Sequence, residues 1–187
     1  MSQADLQSKV FEHMGVVKGK NPISDLELGR IQAMSALIPP DVTTILDVGC
    51  GDGRFVRFLQ DRYRIVGVDY AYSSVKQLNN NGVRASSGDL PFLNKSVDMV
   101  LCSEVLEHLQ SKILELTIKE MERVAQKYIL ISVPYKENLR LKNIKCRKCF
   151  TVFNIWGHLR SFSDNDLCDL FKEFQSKTTR YFGKRAP

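Results

Sequence analysis

The chain alternates between short apolar runs and amphipathic stretches, and that alternation organises it. Residues 44–48 (TILDV), 64–69 (RIVGVD), 83–86, 97–102 (VDMVLC) and 128–133 (YILISV) are runs rich in β-branched residues, each ended by Gly, Asp, Ser or Pro. Such runs predict buried strands. Between them lie helical patterns. Ser24, Asp25, Leu26 and Glu27 form a capping box, with Leu28, Ile31, Met34 and Ile38 on one face before Pro39 and Pro40. Residues 54–61 give a second helix facing inward through Phe55, Phe58 and Leu59, and a third starts at Ser73 or Ser74 and reaches about Asn80. A longer one spans 111–126 with Ile113, Leu116, Met121 and Val124 inward; Ser163 caps a last helix carrying Leu167, Leu170, Phe171 and Phe174. Residues 178–182 predict a sixth strand.

Strands alternating with helices imply an α/β fold: a Rossmann-like, doubly wound, mainly parallel sheet with helices on both faces. Ligands of such sheets bind at the carboxyl ends of the strands, near the switch in strand order. The organisation expected is a helical cap over 1–40 and a Rossmann-like domain over 41–187, with an insertion at about 136–162. At 187 residues, 43% hydrophobic and 26% charged, the chain suits one globular domain with a full core. No run approaches the roughly 20 apolar residues of a membrane span, and no apolar signal core opens the sequence. Among five cysteines only Cys146 and Cys149 are paired in spacing, which predicts a reducing, cytoplasmic setting.

The strand ends carry the candidate chemistry. After the first comes LDVGCGDG (46–53), in which Gly49, Gly51 and Gly53 follow a G-x-G-x-G spacing. Glycines there admit a ligand close to the backbone. Asp47 and Asp52 flank them, which disfavours a pyrophosphate and suits a zwitterionic, cationic ligand. Asp69 ends the second strand, where an acid receives ribose hydroxyls, and Asp89 follows the third beside Leu90 and Phe92.

These segments resemble the class I S-adenosylmethionine-dependent methyltransferases, in particular the methyltransferase type 11 group. LDVGCGDG resembles the first motif, VGVDYAYSSVKQL (66–78) the second, and GDLPFLNKSVDMVLCSEVLEHL (88–109) the third and fourth. The resemblance covers about Ile45 to Val133 and implies S-adenosylmethionine as cofactor. Asp47, Gly49 and Cys50 would line the methionine end, with Gly51 and Gly53 shaping the loop. Asp69 and Tyr70 would bind the ribose side, Asp89 and Leu90 the adenine, and Cys102 and Ser103 the path to the methyl group. The family usually ends its sheet with a sixth and a seventh strand, and the seventh is not evident here.

Methyl transfer from a sulfonium needs alignment, water exclusion and a proton acceptor. His108, Glu104 and Tyr135 are the candidates for that work. The Asn/Asp-Pro-Pro-Tyr/Phe motif that often marks methylation of nucleobase amines is replaced by Cys102, Ser103, Glu104 and Val105. The expected acceptor is a small molecule taking the methyl on O or N. Two rivals stand beside it: an RNA methyltransferase using the cations of 136–148 as phosphate contacts, and a non-catalytic cofactor-binding scaffold subunit. Two metal readings also stand. Cys146 and Cys149, with His158 as third ligand, suit zinc stiffening a lid. Glu104, Glu107 and His108 resemble the Glu-x-x-Glu-His cluster that holds a divalent ion in some O-methyltransferases. Sequence does not assign His158 to either.

Overall fold

The computed structural model describes residues 23–176 and 178–182. Helix α1 (Asp25–Ser35) starts where the Ser24 side chain accepts a hydrogen bond from the Glu27 N–H at 3.3 Å, and it buries Ile31 and Met34. Strand β1 (Thr44–Val48) leads through the glycine loop into helix α2 (Arg54–Leu59). Strand β2 (Arg64–Asp69), helix α3 (Tyr72–Val75) and strand β3 (Gly82–Arg84) follow. Strand β4 (Val97–Ser103), helix α4 (Ser111–Val124) and strand β5 (Ala125–Ser132) complete the sheet. Its order is β3-β2-β1-β4-β5, with every pairing parallel. The order reverses between β1 and β4, so the crevice of this Rossmann-like fold opens above those two strands.

Two apolar layers cover the faces of the sheet. Ile31, Phe55, Val56 and Leu59 pack with Ile45, Ile65 and Met99 on one side. Leu114, Ile118, Met121 and Val124 pack with Leu46, Val48 and Val100 on the other. Below the sheet, Asp98 accepts from the backbone N–H and the hydroxyl of both Thr43 and Thr44, at 2.8–3.0 Å, and Lys127 Nζ lies 3.0 Å from its other oxygen. Those hydrogen bonds, the Thr43 N–H foremost, hold its carboxyl well below the usual range.

Past β5 the chain forms a small antiparallel hairpin, β6 (Asn143–Lys145) and β7 (Val152–Asn154), whose turn carries Cys146 and Cys149. Helix α5 (Asp164–Leu170) begins in a reciprocal capping box between Ser163 and Asp166.

Several local expectations change. Residues 178–182 form no strand; the Phe182 ring instead covers Gly29 of α1, where an added Cβ would meet it at 2.5 Å. Phe58 is 38% exposed and α2 stops at Leu59. Helix α3 starts after Ala71, with Ser73 and Ser74 buried inside it, because the Ala71 N–H is already held by Asp69 Oδ1 at 2.8 Å. Ser86 lies outside β3 and bridges to Asp89 in a turn. Helix α4 turns Leu114, Thr117, Ile118 and Met121 inward and leaves Leu116 exposed. Thr117 belongs to the buried stripe because its hydroxyl meets Ser87 Oγ at 2.8 Å. Among the described residues no helix is long and apolar enough to cross a membrane.

Candidate functional site

The loop after β1 turns upward through three left-handed glycines, Gly49 (φ 74°), Gly51 (φ 52°) and Gly53 (φ 76°). A Cβ at Gly49 would strike Val105 at 2.4 Å and one at Gly53 would strike Leu78 at 2.0 Å, so both glycines are packing requirements. Gly51 differs. A Cβ there would meet nothing within 4 Å, so its backbone faces open space where a ligand can approach. Asp69 braces this loop from the end of β2, accepting from the Gly51 N–H at 2.9 Å through Oδ2. Its Oδ1 accepts from the Ala71 N–H at 2.8 Å.

Asp47 lies beneath the loop, 2% exposed, and its Oδ2 has no hydrogen-bond partner. Burial, reinforced by the nearby Asp69 charge, pushes its pKa up to about 8. A buried carboxylate oxygen left unpaired beside an open loop is a group built to receive a cation or a donor. Asp52, the other acid of the motif, does not share that role: Arg54 Nε donates to it at 2.7 Å, and the same guanidinium reaches Glu27 of α1. The charge argument from paired acids therefore rests on Asp47 and Asp69.

The Cys50 and Cys102 side chains are buried in the core, and burial raises both thiol pKa values far above the ordinary range. Cys50 packs under Gly67, so only its backbone borders the loop. Tyr70 is exposed, with the Arg84 guanidinium 5.8 Å from its ring centroid. Asp89 is exposed, whereas the Leu90 side chain is buried and its N–H donates to Glu120 Oε2 at 2.7 Å. Arg123 of α4 ties down the same turn by donating to the carbonyls of Leu90 and Phe92.

The end of β4 opens a second region. Ser103 Oγ meets Ser132 Oγ at 2.9 Å, and Ser132 Oγ donates to Glu104 Oε1 at 2.9 Å. Glu104 has φ 57°, a costly conformation for a residue with a Cβ, and its carboxylate lies 3.5 Å from Arg30 of α1. Glu107 is 0% exposed, and neither of its carboxylate oxygens has a hydrogen-bond partner. Burial first, and the Glu104 charge second, raise its pKa to about 8. His108 Nε2 lies 3.9 Å from Glu107 Oε1, while its Nδ1 is 3.3 Å from the Gly157 carbonyl.

A distant segment closes over this region. The Leu159 N–H donates to the Glu107 carbonyl at 2.7 Å, and Arg160 donates to the Leu109 carbonyl at 2.6 Å. His158 is thereby set against His108, ring centroids 4.8 Å apart, with its Nδ1 paired to Glu137. His158 groups with Glu107 and His108, their ligand atoms all within 4.8 Å of one another, and not with the cysteines. Cys149 Sγ lies 3.3 Å from Thr151 Oγ1 on the exposed hairpin, and hydrogen bonding from Thr151 and Cys146 lowers its thiol pKa. Tyr135 is occupied elsewhere, edge-on to the Tyr181 ring at 4.9 Å and 3.5 Å from Asp164 Oδ2. Arg30 and Glu137 are the neighbours that sequence reasoning missed; each lies tens of residues from the cluster, and no local spacing marks either.

A family model described as "Methyltransferase domain" matches residues 46–128, from the third residue of β1 into β5. That stretch, under half of the chain, is similar to a methyltransferase domain. A relative from Encephalitozoon cuniculi (strain GB-M1), named "Putative methyltransferase ECU09_1500", is 38% identical over 85 residues; the match covers 43% of this chain and 39% of that protein's length. Two solved structures share the fold of the domain. The 1,6-didemethyltoxoflavin-N1-methyltransferase of Burkholderia thailandensis, solved with its substrate and S-adenosylhomocysteine, superposes with a TM-score of 0.64 at 16% identity, over 89% of this chain and 74% of that one. The PH0226 protein of Pyrococcus horikoshii OT3 gives a TM-score of 0.63 at 20% identity, over 84% and 89%. The matched stretch of the methyltransferase domain contains the glycine loop, Asp69, Asp89 and the Glu104–His108 segment; the hairpin and His158 lie beyond it.

Proposed function

We propose that this chain transfers the methyl group of S-adenosylmethionine to an oxygen or nitrogen of a small-molecule acceptor. The observation that carries the reading is Asp47: a buried carboxylate with an unpaired oxygen, under a glycine loop whose Gly51 backbone faces open space, at the switch point of the sheet. That arrangement suits a ligand with an ammonium at one end and ribose hydroxyls at the other, and a structure solved with S-adenosylhomocysteine has the same fold. S-adenosylmethionine, when bound, supplies a methyl group already activated on a sulfonium.

The residues of the chain do the rest. Asp47 would accept from the ammonium. Asp69, braced by the Gly51 and Ala71 N–H groups, would accept from the ribose. Asp89 and the exposed Tyr70 border the adenine side. Gly49 and Gly53 keep the loop seated on Val105 and Leu78. Ser103 and Glu104 stand at the end of β4 beside β1, where an acceptor would meet the methyl. The cluster of Glu104, Glu107 and His108 is the place for the acceptor's proton to go. Tyr135, held by Tyr181 and Asp164, is given no step.

Titration calorimetry with S-adenosylmethionine and S-adenosylhomocysteine, followed by a methylation screen over small hydroxyl and amine acceptors, tests the reading. Binding of both, loss of binding in Asp47→Ala, and turnover of a small acceptor are expected. Absence of cofactor binding overturns it. Binding without turnover on small acceptors, but with turnover on RNA, overturns the acceptor class.

A further inference from the structure

The segment between Val133 and Phe162 contributes no residue to either apolar layer of the fold. It is nevertheless rich in apolar side chains. Leu141 is 78% exposed, Phe150 66%, Val152 59% and Trp156 51%, and Ile144 and Phe153 stay about half exposed. The pairing of β6 with β7 shows why. Ile144 stands opposite Phe153 and Lys145 opposite Val152, so each face of the hairpin carries apolar groups and neither face is covered. Backbone bonds fix the shape all the same: the Cys146 N–H donates to the Thr151 carbonyl at 2.8 Å and the Ile155 N–H to the Lys142 carbonyl at 2.9 Å. A two-stranded hairpin gains little from itself in water, and apolar groups that serve no core of the chain are left for something outside it.

The charge of the segment narrows what that is. Residues 136–148 hold six cations, Lys136, Arg140, Lys142, Lys145, Arg147 and Lys148, and one acid, Glu137. Glu137 is taken by His158, and among the described residues none of the six cations is ion-paired. Lys145 Nζ lies 5.2 Å from the Phe150 ring centroid instead, so charge and apolar surface are interleaved. Protein interfaces draw lysine out of their centres, whereas Lys145 sits between Phe150 and Val152. Single-stranded RNA takes cations with aromatic platforms and makes no use of Leu141, Ile144 and Val152. A bilayer with anionic headgroups takes every part. Aliphatic and aromatic side chains enter the headgroup boundary, Lys and Arg keep their charges at the lipid phosphates, and tryptophan is favoured at that depth.

We propose that the β6–β7 hairpin, with Leu141 before it and Trp156 after it, is a peripheral docking surface for an anionic lipid bilayer. The hairpin lies in the surface of the bilayer and does not cross it. Docking stands without the proposed methyl transfer, and one consequence rests on that reading. The Gly157 carbonyl meets His108 Nδ1 at 3.3 Å, so the docked hairpin brings the segment after β4 to the bilayer. An amphiphilic acceptor held in the lipid would then lie beside the crevice.

Trp156 is the only tryptophan of the chain, so its emission reports on this surface directly. The test mixes the full chain, kept reduced, with vesicles of phosphatidylcholine alone and of phosphatidylcholine with phosphatidylserine, and reads binding by sedimentation and by Trp156 emission. A blue shift on the anionic vesicles is expected, with binding to the neutral ones at least about 10-fold weaker. Lys145→Glu with Lys148→Glu should weaken anionic-vesicle binding at least about 10-fold. Leu141→Ser with Phe150→Ser should weaken it about 10-fold and shrink the blue shift. All four side chains are exposed, so thermal melts of both variants should match wild type. No binding to anionic vesicles, with or without binding of single-stranded RNA, overturns the surface. Equal binding to neutral vesicles, an unchanged Trp156 emission, or binding indifferent to both variants overturns it as well. If the vesicles bind as stated and S-adenosylhomocysteine does not, the docking surface stands and the proposed methyl transfer falls.

Discussion

The two ends of the sheet treat buried carboxylates in opposite ways. Below it, Asp98 accepts four hydrogen bonds from Thr43 and Thr44 and pairs with Lys127; its charge is fully answered and its pKa is depressed. Above it, Asp47 and Glu107 are more deeply buried, yet one oxygen of Asp47 and both oxygens of Glu107 lack partners, and burial drives both pKa values up to about 8. The same side-chain chemistry serves integrity at one end and readiness at the other. The difference lies in who supplies the donors: the chain itself at the amino ends of the strands, and a ligand at the carboxyl ends.

That contrast can be broken in order of expected size. We predict that Asp98→Ala destabilises the fold by about 3 kcal/mol, since it removes a charged acceptor from several donors at once; a urea midpoint unchanged from wild type would refute the structural role. Asp69→Ala should leave the fold intact and weaken cofactor binding by about 2 kcal/mol, roughly 30-fold, through lost ribose bonds and a loosened Gly51 loop. Calorimetric affinity equal to wild type would remove Asp69 from the site.

The stability profiles against pH sharpen the comparison further. The depressed pKa of Asp98 gives stability that is present above its ordinary value near 3.8 and is lost as pH falls through the folded value. The raised pKa of Glu107 works the other way: stability is intact below about 4.5 and is lost progressively as pH rises through about 8. Glu107→Gln should therefore flatten the decline between about pH 4.5 and about 8, an effect on the order of a few kcal/mol, and leave the acid limb to Asp98. Identical profiles over that range in denaturation series would count against a buried, ionisable Glu107. The smallest effect is a proton. Asp47 with a pKa near 8 is mostly protonated at pH 7, and an ammonium at its side lowers that value, so cofactor binding should release up to about one proton there. Calorimetry in buffers of differing ionisation enthalpy would read it; zero release would sink the Asp47–ammonium pairing.

All five strands of the sheet were legible, β1, β2, β4 and β5 as apolar runs closed by polar breakers and β3 to within two residues at its end, and the glycine spacing located the loop. The buried face of α4 was less so. Ile113, Leu114, Leu116 and Ile118 offer two apolar stripes, and the correct one runs through Thr117, whose hydroxyl disguises it until Ser87 is seen beside it. Residues 178–182 read as a strand by composition, but Tyr181 and Phe182 make their contacts with Asp164 and Gly29 rather than with β5. Near the glycine loop, the position of Asp47 and Asp69 at the carboxyl ends of β1 and β2 was legible from the apolar runs that precede them. The allegiance of His158 was not, because spacing along the chain favoured Cys149 while the Leu159 backbone N–H and the Arg160 guanidinium tether its segment beside His108.

Those tethers also set a clock on synthesis. All five strands of the sheet lie before residue 133, so the sheet can form once Ser132 has left the ribosome. Glu107 and His108 must then wait for Gly157 to Arg160 to emerge before their third partner arrives. A ribosome-tethered fragment ending before residue 157 would fold its floor but not its roof.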